Sequence, residues 1–135
     1  MPFIPCISVP DTAASVAFYQ SIGFDVDSSS AKAGDDLHML LHQGQLAAML
    51  YGNTDLKTWL PVLKDQPIGF AGMFYLSVSD FQATYDRVSR HAEIVKEPVT
   101  DNNGVREFYF RDSDGYVIGI NDHAALKASD MGRFA

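Results

Sequence analysis

Two histidines, His38 and His42, are the side chains of this sequence best suited to acid–base or metal chemistry. They are four residues apart in a run that alternates as a strand does. On a strand this spacing separates the rings by roughly 13 Å, too far for both to bind one ion directly. Each can line a pocket or hydrogen-bond a ligand, although a structural role is more common for a single histidine. We therefore treat both as candidate ligand contacts, with no metal assigned to them.

Other candidate motifs have simpler explanations. The segment Asp112-Ser113-Asp114-Gly115 begins like a calcium loop, but the glutamate and further oxygens of such a loop do not follow, so it predicts a hairpin turn. Cys6 is the only cysteine and lies in a strand-like run, which favours a small buried hydrophobe over a nucleophile. No phosphate loop, nucleophile elbow or pair of catalytic carboxylates is present, and we predict no catalytic residue.

An internal repeat organises the elements that must position these side chains. Ile7-Ser8-Val9-Pro10-Asp11 recurs as Leu76-Ser77-Val78-Ser79-Asp80, and each copy predicts a strand, a capping aspartate and a helix. The alternation and turn signals predict strands at 3–9, 24–28, 37–42, 45–51, 73–78, 92–99, 105–111 and 116–121, and helices at 12–22 and from 81. Each half is thus β-α-β-β-β.

Length and composition limit the possible partners. A chain of 135 residues with 47% apolar residues predicts one domain, 1–135, with modules at 1–51 and 70–122, a connection at 52–69 and a tail at 123–135. The net charge of −7 repels phosphate backbones, so we expect no nucleic-acid partner. Apolar runs are shorter than a membrane span and no secretory leader is evident, so we expect no membrane association and a cytoplasmic location. A single cysteine agrees with that reducing compartment.

Two stretches resemble the vicinal oxygen chelate superfamily, which includes glyoxalase I, extradiol dioxygenases, fosfomycin-resistance enzymes and bleomycin-resistance proteins. They are residues 3–11, followed by Ala17-Phe18-Tyr19 and Ile22-Gly23-Phe24, and the closing hairpin 104–116. The resemblance implies an α+β fold in which two tandem βαβββ modules form curved mixed sheets around a concave cleft. It is specific for the fold and uninformative about the reaction.

The resemblance also indicates where metal ligands would lie. Metal enzymes of the superfamily carry histidine or glutamine early in the first strand of each half, and glutamate on the last strand of each half. The matching residues here are Ile4 and Met73, and then Met49 and Gly119, with one residue of latitude at Met49. None offers a ligand atom suited to Mg, Mn or Fe(II). We therefore expect no metal and no cofactor.

The Ile-Pro opening and the Val-Arg-Glu-Phe run are similar to the bleomycin-resistance branch. That likeness implies metal-free binding of a small aromatic or cationic molecule in a crevice of a homodimer. Trp59 either covers the pocket or anchors the connection, and only one face of strand 105–111, either Phe108 with Phe110 or Tyr109, can line a cleft. The expected cleft residues are Ile4, His38, His42, Met49, Tyr51, Trp59, Met73, Tyr75, Phe108, Phe110 and Gly119.

Two alternatives stay open at this point. The first is an enzyme: a glyoxalase- or dioxygenase-type lyase or oxidoreductase with displaced ligands such as His38 or His42, or a metal-free enzyme that uses Tyr75 or a histidine. The second is an interaction module whose dimer surface, and not its cleft, is the functional part.

Overall fold

A computed structural model describes residues 3–135, and within them the chain divides between Phe70 and Ala71 into two compact units. Each unit is a four-stranded mixed sheet with helices, so the predicted α+β fold of two tandem modules is confirmed. The predicted first module starts at residue 1, and residues 1 and 2 lie outside the described range.

The first unit has the strand order β1-β4-β3-β2. Its elements are β1 Cys6–Val9, α1 Thr12–Ser21, β2 Asp25–Asp27, β3 Leu37–His42, β4 Gln45–Gly52, α2 Asn53–Trp59 and a 3₁₀ turn at Pro61–Leu63. β1 and β2 are shorter than predicted. Helix α2 and the 3₁₀ turn lie in the predicted connection, so that segment has secondary structure of its own.

The second unit repeats this arrangement in the order β5-β8-β7-β6. Its elements are β5 Met73–Val78, α3 Phe81–Ser89, β6 Glu93–Thr100, β7 Arg106–Arg111, β8 Val117–Asp122, α4 His123–Ala128 and a 3₁₀ turn at Gly132–Phe134. β5 has its predicted bounds, and the tail contains the short helix α4.

The repeated aspartates begin the equivalent helices α1 and α3 in the same way. Asp11 Oδ1 accepts the backbone N–H of Ala14 at 3.1 Å, and Asp80 Oδ1 accepts that of Ala83 at 3.0 Å. Each bond satisfies an N–H that has no partner inside its helix, which is typically worth about 1 kcal/mol. The starts of α1 and α3 are therefore fixed by aspartates that occupy equivalent positions in the repeat.

Strand register removes the one-residue latitude at Met49. β1 pairs in parallel with β4, opposing Cys6 to Met49, and β5 pairs in parallel with β8, opposing Tyr75 to Gly119. Cys6 and Tyr75 are equivalent in the repeat, so Met49 is the equivalent of Gly119.

In each unit one sheet face packs against the long helix and forms the core. Leu40 and Leu50 are almost fully buried in the first unit, and Phe108 and Ile120 in the second. Because side chains alternate along a strand, the residues between them lie on the opposite face. The side chains on those opposite faces are therefore the candidates for a functional site.

Candidate functional site

The first unit contains a pocket of about 650 Å³ on the sheet face away from α1. This volume lies within the range of small-molecule sites, about 300–1,000 Å³. Three strands, the turn before β3, and helix α2 with the residue after it supply the lining: Cys6, Gly34, Asp35, Leu37, Met49, Tyr51, Asp55, Leu56, Thr58, Trp59 and Leu60.

Strand alternation builds the floor of this pocket. Cys6 opposes Met49 across the parallel β1–β4 pair, and Leu37 opposes Tyr51 across the antiparallel β3–β4 pair. All four side chains therefore point away from the core residues of the same strands. The floor is apolar apart from a thiol and a phenol, and it suits a ligand that binds mainly through burial of its apolar surface.

Helix α2 forms the wall, and its last residue is Trp59. The helix is held by Lys57, whose ammonium donates to the carbonyl oxygens of Lys64 at 3.0 Å and Gln66 at 2.8 Å. Trp59 is 76% exposed, so it does not anchor the connection to the core. Its ring instead offers a broad aromatic surface at the edge of the pocket.

The charged groups of the pocket are acidic. Tyr51 donates its hydroxyl to Asp35 Oδ1 at 2.8 Å, and Asp55 Oδ2 accepts the backbone N–H of Asp36 at 3.0 Å. The bond to Asp35 raises the pKa of Tyr51 to about 12, so this phenol stays neutral. None of the described lining residues is basic. The pocket therefore presents two carboxylates to a ligand without a cation to neutralise them.

The floor thiol is the only cysteine side chain of the protein. Cys6 is exposed, so the prediction that it is a buried hydrophobe is wrong. Partial desolvation still raises the pKa of its thiol. The neutral form therefore dominates at neutral pH, which argues against a nucleophilic role for this cysteine.

Both histidines lie away from the pocket, which corrects the prediction that they line it. His38 is buried on the helix-covered face and contacts Ser28 and Asp36. His42 packs its ring against Phe24, with centroids 5.4 Å apart, and burial lowers its pKa. Alternation places them on one face together, but the sequence does not show which face α1 covers.

The second unit also corrects the expectation for Phe108 and Phe110. Both are completely buried on the face that packs against α3, where Phe108 meets the rings of Phe81 and Tyr85. Tyr109 points to the opposite face because it lies between them on β7.

On that opposite face, Tyr75 and Tyr109 close over Gly119. Their hydroxyls are 3.2 Å apart, and a Cβ at residue 119 would lie 2.8 Å from a ring atom of each. Met73 is partly exposed on the same strand face as Tyr75. In the second unit, aromatic rings therefore occupy the position that is open pocket floor around Met49 in the first unit.

The described part of the chain does not fit the metal of the related enzymes. Ile4 precedes β1 and is half-buried, and Met73, Met49 and Gly119 hold the other ligand positions. Within residues 3–135, no group of three or more His, Cys, Asp or Glu side chains is arranged to hold an ion. Displaced ligation by His38 or His42 therefore has no supporting cluster there.

Asp35, Leu37, Asp55, Leu56 and Leu60 are pocket residues that the sequence did not identify. Asp35 lies between the predicted strands 24–28 and 37–42, Leu37 lies in a predicted strand, and the other three lie in the predicted connection. The acidic turn residues Asp35 and Asp36 were the available signal, since alternation sends one to each face.

Comparison with known proteins settles the family. The sequence profile of the Glyoxalase/Bleomycin resistance protein/Dioxygenase superfamily matches residues 5–120. The chain belongs to this superfamily. The comparison with curated protein sequences gives no match.

Solved structures of several bacterial proteins share the fold. Protein SA1046 from S. aureus, described as hypothetical, is 20% identical with a TM-score of 0.73, over 90% of this chain and 93% of that one. TnmS3, an antibiotic binding protein from Streptomyces sp. CB03234, is 23% identical with a TM-score of 0.63, over 90% and 96%. TioX from Micromonospora sp. ML1 is 16% identical with a TM-score of 0.65, over 90% and 95%. Identities this low establish the fold and leave the ligand open.

No helix among residues 3–135 is long and apolar enough to cross a membrane.

Proposed function

We propose that this superfamily member binds a small organic cation with an aromatic ring system in the pocket of its first unit, without a metal. The observation that carries the proposal is the pairing of two carboxylates, Asp35 and Asp55, with an apolar floor and the exposed ring of Trp59. Apolar burial supplies affinity, and the unneutralised acids select the sign of the ligand's charge. The function in this proposal is sequestration of the ligand; TnmS3, which shares the fold, is an antibiotic binding protein.

The expected affinity is modest. A micromolar dissociation constant corresponds to about 8.2 kcal/mol. Covering roughly 300 Å² of apolar ligand surface contributes about 7.5 kcal/mol before the entropic cost of association. Contacts between a ligand cation and the carboxylates, and between the cation and the Trp59 ring, offset part of that cost. Micromolar to millimolar binding is therefore the range in which to search.

Self-association accompanies this function in our proposal, and a reducing cytoplasm is its location. Phe3 and Phe70 in the first unit are 102% and 83% exposed, and large apolar side chains left in solvent often mark an interface. A single cysteine supports the reducing compartment. Light scattering tests self-association. A dimer is expected at micromolar protein concentration, and a monomer at that concentration would contradict this part of the proposal.

The binding test uses Trp59 fluorescence, since it is the only tryptophan of the chain. The protein is titrated with proflavine, a planar aromatic cation, and with acridine, which has the same tricyclic ring and is neutral at neutral pH. Saturable quenching by proflavine at concentrations below millimolar, with weaker binding of acridine, is expected. Absence of saturable binding across a broad panel of aromatic and cationic compounds would contradict the proposal.

Neutral isosteres separate charge from shape. In Asp35→Asn and Asp55→Asn the amide oxygen can still accept the bonds from Tyr51 and from the backbone. Each variant should weaken proflavine binding about 2- to 5-fold, as expected for partly exposed ion pairs, and leave acridine binding unchanged. Asp65→Asn makes the same charge change at an exposed residue outside the pocket and should change neither. If all three variants weakened proflavine binding equally, the effect would come from the net charge of the protein and not from the two carboxylates of the pocket.

A further inference from the structure

A hydrogen-bonded Ser–His–Asp array lies on the other side of the first sheet from the pocket. Ser28 Oγ is 2.7 Å from His38 Nδ1, and Asp36 Oδ1 is 2.8 Å from His38 Nε2. Asp36 Oδ2 also accepts the hydroxyl of Thr12 at 2.7 Å. The proposed small-molecule binding uses none of these side chains.

The partners of His38 fix which ring nitrogen carries the proton. A carboxylate can only accept, and the bonds from Thr12 and His38 keep the pKa of Asp36 below its ordinary value. In the form with one ring proton, His38 therefore donates from Nε2 to Asp36, which leaves the Nδ1 lone pair to accept the hydroxyl proton of Ser28. A serine that donates to a carboxylate-oriented imidazole is the arrangement that activates a nucleophile.

Ser28 is held in place and is open to solvent. Its carbonyl oxygen accepts the backbone N–H of Ala31 at 3.1 Å, just after β2 ends at Asp27. Its side chain lies in an exposed stretch, whereas His38 is only 9% exposed. The base is thus shielded while the nucleophile is accessible, so an external ester can reach Oγ without displacing the imidazole.

We propose that Ser28 is an activated nucleophile that accepts acyl groups from activated esters, with His38 as general base and Asp36 as its positioning residue. Ser28 Oγ forms a bond to the carbonyl carbon while its proton passes to His38 Nδ1. The bond to the leaving oxygen breaks, and that oxygen departs with the electron pair and the proton from His38. Water then hydrolyses the acyl-serine by the reverse use of His38, so one ester and one water give one acid and one alcohol.

The test is p-nitrophenyl acetate with the full chain, followed by peptide mapping of acetylated residues. Ser29 and Ser30 are adjacent exposed serines and serve as internal controls. General-base assistance is worth at least about 100-fold, so Ser28 should be acetylated about 100-fold faster than either neighbour. Ser28→Ala should abolish this acetylation, and Ser29→Ala should leave it unchanged. Equal acetylation of the three serines would overturn the proposal.

Asp36→Asn tests the positioning role with a readout that a purely structural role does not move. Its amide oxygen can keep the Thr12 bond while its NH₂ donates to His38 Nε2, which forces the proton onto Nδ1 and removes the base. Ser28 acetylation should fall at least about 10-fold, and the imidazole ¹⁵N signals of His38 should report the exchanged tautomer. Folding is checked by melting. Unchanged acetylation in a folded Asp36→Asn variant would refute the assignment, and proflavine binding, which uses other residues, should not change.

Discussion

Replacing Trp59 by alanine should remove the largest single contact in the proposed pocket. A tryptophan side chain has about 250 Å² of accessible surface, so 76% exposure leaves about 190 Å² available to a ligand. A planar cation stacked on one ring face covers about 80 Å² of it. At roughly 25 cal/mol per Å² this is about 2 kcal/mol, or about 30-fold in the dissociation constant.

Calorimetric titration with proflavine measures this effect without the lost fluorophore. Trp59→Phe keeps an aromatic face and should weaken binding less than about 5-fold. Val62→Ala is the matched control, since Val62 is 81% exposed, near Trp59 in sequence, and outside the pocket. Because Trp59 is mostly exposed, its replacement should leave the melting temperature nearly unchanged. A dissociation constant that changes less than 2-fold in Trp59→Ala would refute the stacking argument.

Three further outcomes follow from the same structure. Chelator-treated protein should melt at the same temperature with and without Mg, Mn, Fe(II), Ni or Zn, whereas a resident ion at a hundred times its dissociation constant would add about 2.7 kcal/mol. Burial lowers the pKa of His42 from its ordinary 6.5. Between the lowered value and 6.5 the unfolded chain binds the proton more readily than the folded chain, so the free energy of unfolding should decrease as the pH falls through this window. His42→Phe should flatten this slope in chemical denaturation and exposed His91→Ala should not. Gly119→Ala should cost about 1 kcal/mol through its contacts with Tyr75 and Tyr109, and Tyr75→Ala should relieve part of the cost, as a double-mutant cycle would report.

The repeat and the local signals were enough to predict the fold. The strand at Met73–Val78 was predicted with its observed bounds, and both capping aspartates begin helices as expected. These features depend on alternation and on backbone groups within a few residues, which a single sequence displays directly. The family profile then confirms the resemblance over residues 5–120.

The site was harder to predict because it depends on which sheet face the helix covers. Alternation groups His38 with Leu40, and Phe108 with Phe110, and leaves the covered face undetermined. Packing against α1 and α3 decided it, so those side chains are buried while Met49 and Tyr51 lie in the pocket. The acidic side of the pocket could not be predicted either, because the sequence of the connection does not give the orientation of α2.

Protection of Cys6 from a thiol reagent shows whether a cationic aromatic ligand occupies the pocket of the first unit. Cys6 lies on the pocket floor and is the only cysteine, so its modification by 5,5′-dithiobis(2-nitrobenzoate) reports the pocket alone. If a cationic aromatic ligand occupies this pocket, proflavine should slow the reaction along a saturable curve with the same dissociation constant as Trp59 quenching. A modification rate that does not respond to proflavine concentrations that saturate the quenching would show that the ligand does not bind in this pocket.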